Sequence, residues 1–329
     1  MGNYVPKYLM NISFIFILFL IPLFLTNYTN TFMIPSSLMN LNTIFLSILI
    51  EALPFVLIGV LIAGFIQIFI TEEHIQKWIP KNKFMAVLMS CAVGALFPAC
   101  ECGIVPIVRR LISKGVPLHA AIGFMLTGPL INPIVIVSTY MAFGNDMKIA
   151  GLRMVLGFLI AIIISLLVSL LFQGSQFKSG IHHEKSLENA KKQPFIKQFF
   201  DMLKHSIDEF FDMGKYLIIG AFLAAFVQTY VSTKTLFEIG NDVSSSILVM
   251  MLLAYILSLC SEADAFIGAS FSAIFPDFSI LAFLIFGPMI DLKNTIMLLG
   301  VFRFKFVMWL LFLVVSVIYI SILILSKYI

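Results

Sequence analysis

Long apolar runs recur along the whole chain, at residues 12–25, 41–70, 84–98, 118–143 and 149–172 and again beyond residue 206. A helix needs roughly 20 such residues to cross a bilayer, and a succession of them reads as an all-α polytopic membrane protein. Composition agrees: 60% of residues are hydrophobic and 12% charged, against about 45–50% and about 25% in soluble domains. Too little polar surface remains to cover a water-soluble enzyme, and the chain is far too apolar for a disordered tail protein. The length accommodates about seven to nine crossings. A net charge of +4 is no sign of nucleic acid, because Lys and Arg sit beside the apolar runs as topology signals. Four cysteines do not make a disulfide scaffold in a chain of this size.

Four segments follow. Residues 1–40 read as an N-terminal transmembrane helix and loop: the apolar run 12–25 follows Lys7, and no small-residue cleavage site comes after it. Residues 41–172 form a first transmembrane repeat, in which 149–172 is a clean span. Residues 173–206, with Lys178, Lys185, Lys191, Lys192, Lys197 and Lys204, read as a polar cytoplasmic linker. Residues 207–329 form a second repeat. Leu57-Ile58-Gly59 matches Ile218-Ile219-Gly220, Cys100 falls opposite Cys260, and Gly128-Pro129 falls opposite Gly287-Pro288, at offsets of 161, 160 and 159 residues. Such duplication is a common architecture of secondary transporters, with the binding site at the repeat interface.

Positive charge orients the repeats. Lys77, Lys81 and Lys83 precede the segment 84–113, and Arg109, Arg110 and Lys114 end it. A simple crossing puts one basic cluster outside, against the positive-inside rule. A re-entrant hairpin turning at Pro98-Ala99-Cys100-Glu101-Cys102-Gly103 keeps both inside. Each repeat then has an odd number of spans and the second is inverted; a nine-crossing parallel arrangement is the alternative.

Cys100-Glu101-Cys102-Gly103 is the sharpest motif: two thiols flank a carboxylate at a broken point of an apolar segment. Broken helices at membrane depth are tolerated where they pack in protein or line a watered cavity, and thiolates favour Cu(I), Zn(II) and other thiophilic ions. Cys260-Ser261-Glu262-Ala263-Asp264 occupies the matching place. Carboxylates inside an apolar run cost about 2.5–3.5 kcal/mol each and normally face a cavity, pair with a cation or relay protons. The candidate cargo-binding set is therefore Cys100, Glu101, Cys102, Cys260, Glu262, Asp264 and Asn132, with Cys100, Cys102 and Cys260 as metal ligands. Packed thiols, and carboxylates at the membrane edge, are the plainer alternatives. Glu51, inside a span, and Asp291 are candidate relay or gate residues. Asp212 matches Glu51 in the second repeat, with Lys215 beside it. Gly103, Gly128, Pro129, Gly287 and Pro288 are candidate hinges. Asn294 lines the second break, and Lys293 forms a local pair with Asp291. Cys91 reads as packing; His74, His119, His182, His183 and His205 read as loop or helix-end residues and not as ligands.

No phosphate-binding loop, nucleophile elbow or His-Glu-x-x-His occurs, so neither ATP-driven transport nor enzymatic catalysis is expected, and no cofactor is called for. The segment FPACECGIVPIVRRLISKGVPLHAAIGFMLTGPLINPIVIVSTY resembles the signature region of a predicted-permease family that includes ArsP-type organoarsenical exporters. It also resembles a copper/zinc efflux branch in which C-x-C-G-x-x-P, here Cys100, Cys102, Gly103 and Pro106, precedes basic residues, here Arg109 and Arg110. The resemblance implies a multi-pass cell-membrane permease, and some members of this branch look like one half of a two-component permease with a second membrane subunit. The expected function is secondary transport of a thiophilic metal ion or metalloid. The alternatives are a scaffold subunit whose partner carries the cargo site, or a membrane thiol oxidoreductase.

Overall fold

A computed structural model describes residues 36–71, 75, 78–97, 100–172, 174–178, 195–231 and 242–327. The apolar run 12–25, Pro98, Ala99, Lys77, His74, His182, His183 and the lysines at 185, 191 and 192 lie outside the described residues. Among those described, twelve helices follow in order: α1 Ser36–Phe69, α2 Lys83–Leu96, α3 Glu101–Ser113, α4 Leu118–Ile131, α5 Pro133–Ala142, α6 Met147–Leu171, α7 Phe195–Tyr230, α8 Val243–Leu257, α9 Ser261–Ser270, α10 Asp277–Met289, α11 Leu292–Val301 and α12 Phe304–Leu325. Among the described residues six stretches are long and apolar enough to cross a membrane: α1, α4 with α5, α6, α7, α10 with α11, and α12. The chain is an all-α, multi-pass membrane protein.

Local chemistry sets the helix ends. Asn82 caps α2 by accepting from the Phe84 N–H at 3.1 Å, and Asp146 caps α6 by accepting from Lys148 at 2.8 Å. Gly115, at φ +96°, supplies the left-handed residue that ends α3. α7 begins at Phe195, inside the segment that the sequence assigned to the linker. Ile196, Phe199 and Phe200 recur there at helical spacing among Lys197, Asp201 and Lys204, so the amphipathic period overrides the local charge.

The contacts fix the direction of each element. Lys148 Nζ lies 3.3 Å from Asp277 Oδ2, joining the starts of α6 and α10 at one face. The Phe172 and Phe306 rings meet at 5.0 Å and the Phe177 and Phe302 rings stack at 5.7 Å, joining the end of α6 to the end of α11 and the start of α12 at the other face. Leu118, at the start of α4, and Ile112, near the end of α3, line one cavity with Phe172 and Phe302. Thus α4–α5 runs opposite to α10–α11, and α6 opposite to α12. α1 and α7 are antiparallel as well: Phe45 meets Phe222 at 6.1 Å, while Ser206 Oγ donates to the Val60 carbonyl at 3.1 Å.

Two helical hairpins enter this frame from opposite faces. α2 runs alongside α4, with Cys91 against Gly123 and Gly94 against Thr127, and α3 returns to the face where α4 starts. α8 and α9 do the converse. Ser246 Oγ and Ser279 Oγ are 2.8 Å apart beside the start of α10, and Phe271 packs edge-on to Phe283 at 6.1 Å. The face carrying Lys83, Arg109, Arg110, Lys114, Arg303 and Lys305 is the basic one, which the positive-inside rule assigns to the cytoplasm. α4 and α10 are buried on nearly every side at the centre, whereas α1, α6, α7 and α12 keep apolar outer flanks.

Candidate functional site

Four half-helices begin inside the protein. Cys100 is the N-cap of α3 and Cys260 the N-cap of α9; Asn132 is the N-cap of α5 and Asp291 that of α11. α3 packs on α11, and α5 on α9. A helix N-terminus carries roughly half a positive charge and unpaired N–H groups, so it stabilises carboxylates close by. Each region has its acid or amide: Glu101 opens α3, Glu262 and Asp264 lie in the first turn of α9, and Asp291 and Asn132 cap their helices with side-chain oxygens. Pro106 removes the N–H that would bond the Cys102 carbonyl, so the start of α3 has one helical hydrogen bond fewer.

The helix interruptions fall at Asn132 and at Ile290-Asp291, whereas the expected hinge residues Gly128, Pro129, Gly287 and Pro288 lie inside α4 and α10. Each proline weakens the last turn, and Pro133 then biases Asn132 to an extended conformation, ψ 136°. Gly103 lies in the first turn of α3 against the Phe55 carbonyl of α1.

Lys293 joins the two hairpin tips. Its Nζ lies 3.3 Å from Glu101 Oε1, 3.2 Å from the Ser258 carbonyl oxygen and 3.6 Å from Asp291 Oδ2. Ser258 ends α8 in the left-handed conformation, φ 46° and ψ 45°, which a residue with a Cβ adopts only at a cost. Glu101, Asp264 and Asp291 are each 1% exposed and Lys293 5%. Cys102 is within hydrogen-bonding reach of Cys100, and both thiols face the Lys293 ammonium. Cys260 belongs to a neighbouring group: its Sγ accepts from the Ala263 N–H at 3.4 Å, and Glu51 reaches the same thiol. The three thiols are thus divided between the two tips. Among the described residues no group of three or more His, Cys, Asp or Glu side chains is gathered to hold a metal ion.

Arg153 is the residue that the sequence missed. Fully buried on α6, it donates from Nη1 to Thr139 Oγ1 at 2.7 Å and from Nη2 to the Ser261 carbonyl at 3.3 Å, within electrostatic range of Asp264, Glu262 and Glu101. A lone charge inside an apolar run was its signal, masked by nearness to the start of the span. Six buried polar atoms here have no hydrogen-bond partner: Glu101 Oε2, Asp264 Oδ2, Asp291 Oδ2, Asn294 Oδ1, Ser261 Oγ and Arg153 Nε. Buried polar atoms are nearly always paired with protein or ordered water, so these six leave hydrogen-bonding capacity near the tips for water or another polar group.

The other candidates lie apart. Cys91 is buried in packing beside Ser165. Asp212 pairs with Lys215 at 3.1 Å on an exposed flank. His119 lines a cavity of about 340 Å³ with Phe172, Phe177 and Phe302 at the basic face. Beside that face Glu209, unforeseen from sequence, accepts from Arg110 Nε at 2.8 Å and lies 3.5 Å from Arg109 Nη1.

Residues 37–326 match the model of a family described as predicted permease. UPF0718 protein YcgR of Bacillus subtilis (strain 168) is 52% identical over 284 residues, 86% of this chain and 96% of that protein. A Streptococcus mutans serotype c protein, named as a two-component membrane permease complex subunit, is 46% identical over 275 residues, 84% of this chain and 91% of that protein. No solved structure matches the chain.

Proposed function

The chain belongs to the predicted-permease family, and from that premise we propose that it is a secondary permease moving a thiophilic metal ion or metalloid species across the cell membrane. One observation carries this most: the Cys100-Glu101-Cys102 tip meets the Ser258-to-Asp264 tip inside a bundle of apolar spans, where four half-helices start and six buried polar atoms are unpartnered. Secondary transporters place cargo where discontinuous helices meet at a repeat interface.

Residues 41–172 and 207–329 are taken as two inverted repeats. Among the described residues, six helices before residue 173 and six after residue 194 follow a similar order of lengths, 34, 14, 13, 14, 10 and 25 residues against 36, 15, 10, 13, 10 and 22. Their spans run in opposite directions, and α2–α3 and α8–α9 are the re-entrant hairpins. Cys100 and Cys102 take the cargo as thiolates, and approach of the tips adds Cys260. Glu101, Glu262 and Asp264 balance charge, and Asn132 lines the site. Glu51, beside Cys260, and Asp291 serve as relay or gate. No catalytic residue or cofactor is invoked.

The test is zinc, copper and arsenic content of cells expressing the chain, wild type against C100S/C102S at equal membrane insertion. Loss in the double variant of a change seen in one element supports the permease and gives its direction. No movement of any element removes the thiol cargo.

The name of the Streptococcus mutans relative favours a second reading, in which the chain is one subunit of a two-component permease beside another membrane subunit. Co-purification of a discrete membrane partner, with C100S/C102S leaving its cargo flux intact, would place the cargo site on that partner.

A further inference from the structure

A cargo site of thiols and carboxylates has no evident use for a buried lysine, yet Lys293 stands in the middle of this one. Its ammonium is shared among Glu101, Asp291 and the Ser258 carbonyl at 3.2–3.6 Å. Charge-assisted N–H···O bonds are usually about 2.7–2.9 Å, so all three contacts are loose. The contacts also leave acceptor capacity over, because Glu101 Oε2 and Asp291 Oδ2 have no hydrogen-bond partner. Lys293 therefore offsets one of these two carboxylate charges and leaves acceptor oxygens over.

The other buried cation is held differently. Arg153 is anchored to Thr139 and Ser261 by a planar fork of donors. Lys293 is a point charge on a flexible four-carbon stem, based in the first turn of α11, where Gly220 of α7 packs against its backbone. One cation is clamped and the other is free to withdraw. Ser258 fits the same picture, since the residue presenting the carbonyl to Lys293 holds a left-handed conformation without being glycine.

We propose that Lys293 is a tethered counter-cation. It occupies Glu101 and Asp291 when the carrier is empty and yields them to a cationic cargo. The empty site then carries one negative charge fewer and can change face without an accompanying inorganic cation. Uncompensated carboxylates at membrane depth are costly, and an internal ammonium lowers that cost at every return. The bridge from Glu101 to Ser258 also keeps the two tips together until cargo arrives. This inference rests on the permease reading with a cationic cargo.

The experiment uses the full chain in proteoliposomes with radiolabelled zinc or Cu(I), in two modes: net flux into metal-free medium, and exchange against the same metal unlabelled. Only net flux requires the empty carrier to return. K293M is expected to lose net flux by roughly tenfold or more while exchange stays within about twofold. Retained exchange doubles as proof that the variant is folded. Net flux and exchange falling together in K293M, or both persisting, overturns the assignment. A wild-type protein that moves neither zinc nor Cu(I) in either mode refutes the cationic-cargo reading, and the inference with it, before any variant is compared.

Discussion

Asn132 and Asp291, 159 residues apart in the chain, perform the same local task. Each caps the N-terminus of a ten-residue half-helix, Asn132 by accepting from Ile134 at 2.9 Å and Asp291 by accepting from Asn294. Their helices run in opposite directions, so the two caps approach the centre from opposite faces. Around them the positive ends of four helices and five buried charged or amide side chains are concentrated.

A labelling experiment tests the hairpins. Single cysteines placed at Lys83 and Gly115 flank α2–α3 on the basic face, and cysteines at Asp242 and Ser272 flank α8–α9 on the other. A membrane-impermeant maleimide added outside intact cells is expected to modify the second pair and not the first. Opposite labelling of the two ends of either hairpin would make it a full crossing.

The native thiols differ in access. Cys91 and Cys102 are buried, whereas Cys100 and Cys260 are partly exposed at the tips. In detergent, mass spectrometry after brief alkylation is expected to find Cys100 and Cys260 modified first, and Cys91 only after unfolding. Early modification of Cys91 would contradict its packing against Gly123.

Gly59 lets α1 lie directly on α3, because a Cβ there would overlap the Gly103 carbonyl. G59A should destabilise by about 1–3 kcal/mol through overpacking, seen as a lower midpoint in a thermal unfolding series. G151A, on α6, has nothing within 4 Å of the added methyl and should leave the midpoint unchanged or raise it.

Glu209 accepts from Arg110 and faces Arg109 while only 2% exposed. Removing one partner of a buried pair typically costs about 3–5 kcal/mol. E209A should therefore lower the midpoint well beyond D212A, whose exposed pair with Lys215 is worth under about 1 kcal/mol. Equal midpoints would show that the α3–α7 contact contributes little.

Arg153 should not tolerate lysine. Lysine has a shorter reach and lacks the planar fork by which two guanidinium nitrogens bond Thr139 Oγ1 and the Ser261 carbonyl here. R153K is expected to lower both thermal stability and zinc flux, with R153M lower still because Asp264 then loses a buried cation. A wild-type midpoint and flux in R153K would remove the bridge from the site.

Much was legible before any coordinates. Apolar runs dictate transmembrane helices because backbone groups in hydrocarbon must be satisfied within the segment, and the basic clusters around 84–113 marked both limbs for one face. The Cys-Glu-Cys-Gly and Cys-Ser-Glu-Ala-Asp segments were identifiable as special because charge and helix breaks are expensive in apolar surroundings. The segments Gly128–Pro133 and Gly287–Asn294 were legible as breaks, and within each the backbone yields past the Gly-Pro pair, where Pro133 constrains Asn132 and Asp291 can cap. Residues 195–206 looked like linker by charge, but their helical period extends α7.

By itself, then, the sequence determined the class of protein, its spans and the residues whose presence in a membrane demands an explanation, since these depend on composition and short-range spacing. Which of them meet was decided by tertiary structure alone. Lys293 lies two residues from Asp291, and its other carboxylate contact is with Glu101, 192 positions away; Glu51 finds Cys260, and Arg153 bridges Thr139 and Ser261 across three helices. Side-chain charge has no range along a chain, only through space, and only the crossing of the two hairpins brings these charges within reach of one another.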